Sequence, residues 1–340
     1  MRFLQVLFLM VIVLLAWVTT VDALNISAHE RDELSRDLRR WQKRTLTTDD
    51  LLGRLKASKD KLPMLRAANP HATFSHLTKF ALLTDKELAR FTSSPRVRSP
   101  ASMPYDGSGS AATDTIDWLA SKCVYPVQSM GACFSVWAIT AIQAVASANC
   151  IATNALLDIS LQEVVSCANM GGPDGCHGGD AIAALRWLIM QQTALCNDVD
   201  IPYTAGSSAY APTCSDNSKC AGAISFAVSD VVEKSGEALL EKHVRVQPVL
   251  AMVSASVDTW FLYTGGILSS CPQTKSAFTL PLLVVGYSTE NGVAYWKVRN
   301  GWGTVWGEQG HMRLLRGIGG RGTCNVAAHF AFPAIPSRKP

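Results

Sequence analysis

The run Pro126–Ala141, P-V-Q-S-M-G-A-C-F-S-V-W-A-I-T-A, constrains the fold more than any other stretch of the chain. It reads as a turn feeding a buried helix. Gly131 breaks the extended segment before it, and Ser135 is placed to cap the helix that follows. Phe134, Trp137, Ala138, Ala141, Ile142 and Val145 recur at offsets of three and four, an apolar stripe that must face a core. The C-terminal part supplies a partner layer. Pro248–Val253 and Leu280–Val285 are short apolar runs of the length of buried strands, and Ala294–Asn300 alternates with period two.

The chain has 340 residues, 48% of them apolar, enough to bury a sizeable core. Charged residues make up only 17% and the net charge is +4, which argues against nucleic acid as a partner. No cofactor is expected, and the seven histidines show no metal-ligand pairing with cysteine or carboxylate, so no metal is expected either. Ten cysteines point to an oxidising compartment. The N-terminus agrees. Arg2 precedes an apolar run from Leu4 to Val18, interrupted only by Gln5, and Val21-Asp22-Ala23 offers small residues for signal peptidase. The alternative, an uncleaved anchor, needs a longer run. Residues 1–23 are therefore expected to be a signal peptide, leaving no membrane segment after its removal and a place in the secretory pathway, lysosomal or extracellular. No later stretch reads as a membrane span. Asn25-Ile26-Ser27 is a glycosylation sequon close to the expected new N-terminus.

Residues 24–95 are charged and helix-friendly, an amphipathic segment that needs a surface to lie on. Residues 96–113 are rich in Ser, Pro, Gly and Ala, the composition of an exposed linker open to proteolytic nicking. A domain is expected over 114–335.

Several motifs in this order resemble the papain family of cysteine proteases, of the cathepsin-L-like and trypanosomatid cruzipain type. Ala68-Asn69-Pro70-His71-Ala72-Thr73-Phe74 followed by Phe80 to Thr84 is similar to the family's propeptide, with Leu82 where an Asp is usual and Leu51, Leu55 and Leu62 where Arg, Phe and Ile are usual. Asp117-Trp118, the Leu161–Cys167 helix, Gly175-Cys176-His177-Gly178-Gly179, Ile201-Pro202-Tyr203 and the Asn300 to Glu308 run match further family motifs. The resemblance implies an α+β papain-like two-lobe fold. A helical lobe, about residues 115–225, would pack on an antiparallel β-barrel-like lobe, with a prosegment covering the cleft between them. It places Trp302, Trp306, Gly178 and Gly179 at that cleft.

The same resemblance implies that the chemistry is gone. Such an enzyme needs a thiolate at a helix N-terminus, an imidazole, a group orienting it and donors for the oxyanion. The nucleophile position, before Trp137, is Val136. The base position, six residues before Gly286, is Leu280 in Leu280-Pro281-Leu282, and the proline removes a backbone donor from a strand. The oxyanion Gln position is Met130. Asn300 retains the orienting position with no imidazole to orient. Losing one oxyanion donor typically costs about 100- to 1000-fold in rate. Losing nucleophile and base costs about a million-fold. Cys133 reads as a disulfide partner rather than a displaced nucleophile. His177, His243, His311 and His329 read as surface or packed histidines.

The family framework implies Cys133–Cys176, Cys167–Cys214 and Cys271–Cys324. Cys123, Cys150, Cys196 and Cys220 are extra, and Cys220 competes with Cys214 for Cys167. The expectation is a secreted or lysosomal pseudoprotease whose cleft holds a peptide or protein, its own prosegment or an active relative among the candidates. The alternative is an active papain-family endopeptidase.

Overall fold

The computed structural model describes residues 26–42, 48–84, 87–88, 91, 114–168, 175–191, 195–214, 220, 224–271 and 277–336. The expected signal peptide, the sequon Asn25 and the 96–113 linker lie outside them.

Two helices open the chain, α1 (Ala28–Gln42) and α2 (Asp49–Ala68). Thr48 caps α2 by accepting from the Leu51 amide, and the helix buries Leu52, Leu55, Leu62 and Leu65. Its start carries Asp49 and Asp50 and its last turn Arg66, the charge order that suits a helix dipole. A short strand, β1 (Ala72–Phe74), follows.

The helical lobe holds α3 (Val136–Thr153), α4 (Leu161–Cys167), α5 (Ala181–Met190) and the single turn α6 (Ala205–Ser208). Ser135 does precede α3, but its hydroxyl makes no capping bond to the helix. It pairs instead with the Tyr203 hydroxyl at 2.7 Å. The expected stripe is too narrow a description: every residue from Val136 to Cys150 is buried, including Thr140, Gln143 and Asn149. The 18-residue helix is apolar enough to match a membrane span by length and composition, contrary to the sequence reading, and here it is the core of the molecule. Pro-free and Ala-rich, it is suited to close packing on all sides.

The second lobe is a sheet, with β2 (Ile116–Asp117), β3 (Val231–Lys234), β4 (Val249–Ser256), β5 (Tyr263–Leu268), β6 (Ala277–Glu290), β7 (Val293–Arg299), β8 (His311–Leu315) and β9 (Phe330–Pro333). Helices α7 (Glu237–Val244) and α8 (Val257–Phe261) flank it. The strand order is β1-β5-β8-β7-β6-β4-β9-β3, with β2 joined to β6. All pairs are antiparallel except β5 with β8. The edge strand β1 belongs to the N-terminal segment, so that segment is stitched into the sheet of the domain it precedes.

Pro281 sits within β6 and costs little there. Its cross-strand neighbour Met252 sends its amide to the His329 carbonyl at 3.0 Å. On the other side β7 begins to pair only at Leu283. The proline therefore occupies a stretch of β6 where no ladder donor is required.

All ten cysteines are paired: Cys123–Cys150, Cys133–Cys176, Cys167–Cys214, Cys196–Cys220 and Cys271–Cys324. The first four lie in the helical lobe. The competition for Cys167 goes to Cys214, and the extra four cysteines form two further bridges.

Candidate active site

Three pieces of chain converge at the N-terminus of α3. The first is the run Gln128–Met130. It lies antiparallel to 301–303: Met130 donates its amide to the Gly301 carbonyl at 2.8 Å, Gly303 donates to the Gln128 carbonyl at 3.1 Å, and Ser129 bridges to Trp302. The second is α3 itself, whose first residue is Val136. The third is β6. Thr140 donates from one hydroxyl to the Val136 carbonyl at 2.8 Å and lies 3.4 Å from the Pro281 carbonyl, which joins the helix start to the strand residue next to Leu280.

The side chains there are apolar. Val136 and Leu280 are 0% exposed and Met130 is 2% exposed, so no polar group of theirs faces the junction. Gly301 packs directly on Val136: a Cβ at Gly301 would stand 3.3 and 3.5 Å from its γ-methyls and 3.1 Å from Ile139 Cδ1. Asn300 is buried and turns its Oδ1 back on the Gly301 amide at 2.7 Å. Its Nδ2 has no hydrogen-bond partner, an orphan donor beside an apolar surface.

Tyr203 braces the turn before α3. Its hydroxyl donates to the Met130 carbonyl at 2.8 Å and receives from Ser135, and burial pushes the phenol up to about 12. The Cys133–Cys176 disulfide closes the same turn against the Gly175–His177 segment. Gly179 then meets the Trp137 ring so closely that a Cβ would lie 2.4 Å from it, while Trp137 Nε1 donates to the Gly175 carbonyl at 3.0 Å. Gly179 is needed for that approach, and Gly178 for its left-handed φ of +98°.

Trp302 and Trp306 meet edge to face at 5.1 Å. Trp306 Nε1 donates to the Trp260 carbonyl at 2.8 Å. Around Trp302 stand Phe261 from the domain and Phe80 and Phe91 from the N-terminal segment, with ring centroids 5.0 to 6.4 Å from it. Lys79 donates from Nζ to the Trp302 carbonyl. Desolvation holds that ammonium down at about 8. Trp302, backed by Trp306, thus forms the wall against which the N-terminal segment lies.

The histidines are placed elsewhere. His311 on β8 accepts from Arg299 Nε at 3.2 Å, and burial, with the Arg299 charge second, lowers it to about 4. His329 pairs through Nε2 with Glu233 at 2.7 Å, and His243 lies 4.1 Å from the Phe332 ring. Burial lowers both. His177 is exposed in its turn. No cysteine is free to pair with any of them.

Sequence reasoning missed three contributors. In the sequence Gly301 reads only as standing where a Ser is usual in the family, and its packing role goes unseen because a small residue carries no chemistry of its own. Ser135–Tyr203 joins residues 68 positions apart, which no local pattern reports. Lys79 looked like one more charge in a charged segment.

The geometry is that of a cysteine-protease scaffold with its prosegment docked, and the comparisons agree. The family profile "Papain family cysteine protease" matches residues 112–334, and the chain belongs to that family. It is 32% identical over 228 residues to the oryzain beta chain of Oryza sativa subsp. japonica, covering 67% of this chain and 47% of that one. To cysteine proteinase B of Leishmania mexicana it is 30% identical over 262 residues, covering 74% and 57%. The chain thus spans about half the length of these curated relatives. Among solved structures it resembles the proform of Amb a 11, a ragweed pollen allergen and cysteine protease, with a TM-score of 0.75, 25% identity and coverage of 92% and 97%. A digestive procathepsin L 3 from the Tenebrio molitor larval midgut shares the fold, with a TM-score of 0.67 at 23% identity.

Proposed function

We propose that this chain is a pseudoprotease of the papain family, acting in the secretory pathway by binding a peptide or protein segment rather than by cleaving one. One observation carries the reading. At the helix N-terminus where the family resemblance puts the attacking sulfur, the residue is Val136, and every cysteine of the chain is held in a disulfide. Thiolate catalysis needs a free, ionised sulfur in reach of a base. Leu280 offers no base, and Met130 offers no side-chain donor for an oxyanion. The five disulfides fit an oxidising compartment.

The test is direct. The folded protein is treated with an epoxide or vinyl-sulfone thiol reagent and assayed on unstructured peptides. Neither labelling nor turnover is expected. A Val136→Cys, Leu280→His, Met130→Gln variant is run beside it. Labelling of that variant at position 136 shows that the scaffold still presents the position correctly. Stoichiometric labelling or turnover by the unsubstituted chain sinks the reading.

A further inference from the structure

We propose that the segment held at this site is the chain's own prosegment, kept as a permanent part of the molecule from neutral to acid pH even after the linker is cut; this rests on the pseudoprotease reading. The contacts that hold it are of a kind that acid does not remove. Asn69 is fully buried, and its Oδ1 accepts the backbone amides of Ser269 at 3.1 Å and Ser270 at 2.8 Å, while its Nδ2 donates to the Leu65 carbonyl at 3.2 Å. An amide side chain keeps that role at any pH. β1 adds backbone pairing along β5, from Ala72 opposite Gly266 to Phe74 opposite Tyr263, and Ile267 donates to the His71 carbonyl at 2.7 Å. Thr78 donates to the Phe261 carbonyl at 2.8 Å. Phe80 stacks on Phe261 at 4.5 Å and meets Trp302 at 5.0 Å.

The domain side is cut to this occupant. Gly266 has a φ of +79°, and a Cβ there would stand 2.2 Å from the His71 carbonyl oxygen. No other residue lets the two strands approach so closely. A chain that lacks a nucleophile has no means of shedding the segment unaided.

The titratable groups at the interface are few. From the prosegment come Lys61, Lys79, Arg54, Arg66, Glu87, His71 and His76; from the domain come Asp258 and Glu308, the latter bound by Arg313 and accepting the Gly266 amide at 2.9 Å. His76 pairs inside the prosegment with Asp37 at 3.1 Å, and Arg54 with Asp50 at 2.8 Å. Among the described residues one carboxylate–cation pair crosses the interface, Lys61 with Asp258 at 2.7 Å, and it is about 40% exposed on each side (42% and 38%). Such a pair contributes little. Lys79 stays protonated below about 8, so its bond to the Trp302 carbonyl is unchanged between neutral and acid pH.

The experiment nicks the folded full-length protein with trypsin at Arg96 or Arg98 in the linker. The pieces are then followed by gel filtration at pH 7 and pH 5, with circular dichroism on the same samples. The two pieces should co-elute at both pH values, with dissociation rates that differ by less than about fivefold, the ceiling set by losing one exposed ion pair. Asn69→Ala should speed release about tenfold or more, since two part-buried amides lose their acceptor. Phe80→Leu, which keeps an apolar side chain, serves if the first variant does not fold, and it too should speed release. Separation of the unsubstituted pieces at pH 5, by release or by unfolding of the prosegment, overturns the proposal, as does a release rate that both variants leave unchanged. Peptide hydrolysis by the nicked sample would instead strike the pseudoprotease reading and leave the docking result standing.

Discussion

Val136 and Gly301 are a matched pair. The valine γ-methyls, at 3.3 and 3.5 Å, and Ile139 Cδ1, at 3.1 Å, together crowd the space that a Cβ on residue 301 would need. Gly301→Ala should therefore cost about 1–3 kcal/mol by overpacking. Val136→Ala should relieve much of that, giving a coupling of at least about 0.5 kcal/mol in a double-mutant cycle read by urea denaturation. Additive effects would show that the two side chains do not share the space. Some of this was legible early: Val136, Leu280 and Met130 could be named as the odd residues from the motif around Trp137 and from the distance to Gly286. Their common burial could not be named, because three apolar residues far apart in sequence look alike whether they line a groove or fill it. His311 carries a prediction of a different kind. Its folded value of about 4 lies below the ordinary 6.5, so the folded chain resists the proton that the unfolded chain accepts. Its contribution to stability is present above about pH 6.5, falls as the pH drops toward 4 and is lost below that. His243 and His329, also lowered by burial, act in the same direction. Thermal unfolding should show a midpoint that falls from pH 7 to pH 4, with a smaller fall in His311→Gln.

At the level of elements, α3 depends on Gly179. The glycine lets its segment lie against the Trp137 ring, whose indole is tied to Gly175. Gly179→Ala should destabilise the helical lobe by about 1–3 kcal/mol or more, seen as a loss of protection from proteolysis in 136–190 before the sheet is affected. An unchanged denaturation midpoint would mean that the Trp137 contact is not structural. The existence of α3 was plain from its spacing, as were β4, β6 and β7 from short apolar or alternating runs. What the spacing could not report was that α3 is enclosed on all sides. Its polar members Thr140, Gln143 and Asn149 suggest a wet face, yet each is buried and bonded: Thr140 to the Val136 carbonyl, Gln143 Nε2 to Gln128 Oε1 and Asn149 to the Ala155 carbonyl. Pro281 misled in the same way. Its disruption of a strand is real only where a ladder donor is needed, and the register of β6 against β4 and β7 makes none necessary there.

For the whole molecule, the two lobes differ in how they are held. Four of the five disulfides staple the helical lobe, and one, Cys271–Cys324, ties the sheet lobe, whose strands are already joined by backbone pairing. With each bridge contributing about 2 to 4 kcal/mol, mild reduction should loosen the helical lobe first, detectable as early exchange of amides in α4 and α5 while β6 and β7 stay protected. Simultaneous loss in both lobes would refute that order. Pairing among the extra cysteines was beyond sequence reasoning because four residues can be joined in three ways, and only the fold brings Cys123 beside Cys150 and Cys196 beside Cys220.

With every cysteine sulfur already held in a bridge, the molecule offers nitrosating agents and alkylators no free thiol, and the oxidisable sulfur at the start of α3 is the thioether of Met130, shielded at 2% exposure. An enzyme that works through a thiolate is switched off by such chemicals; a binder built on hydrocarbon and backbone amides is not. On the proposed reading, whatever this chain holds it goes on holding in surroundings that would silence its catalytic cousins.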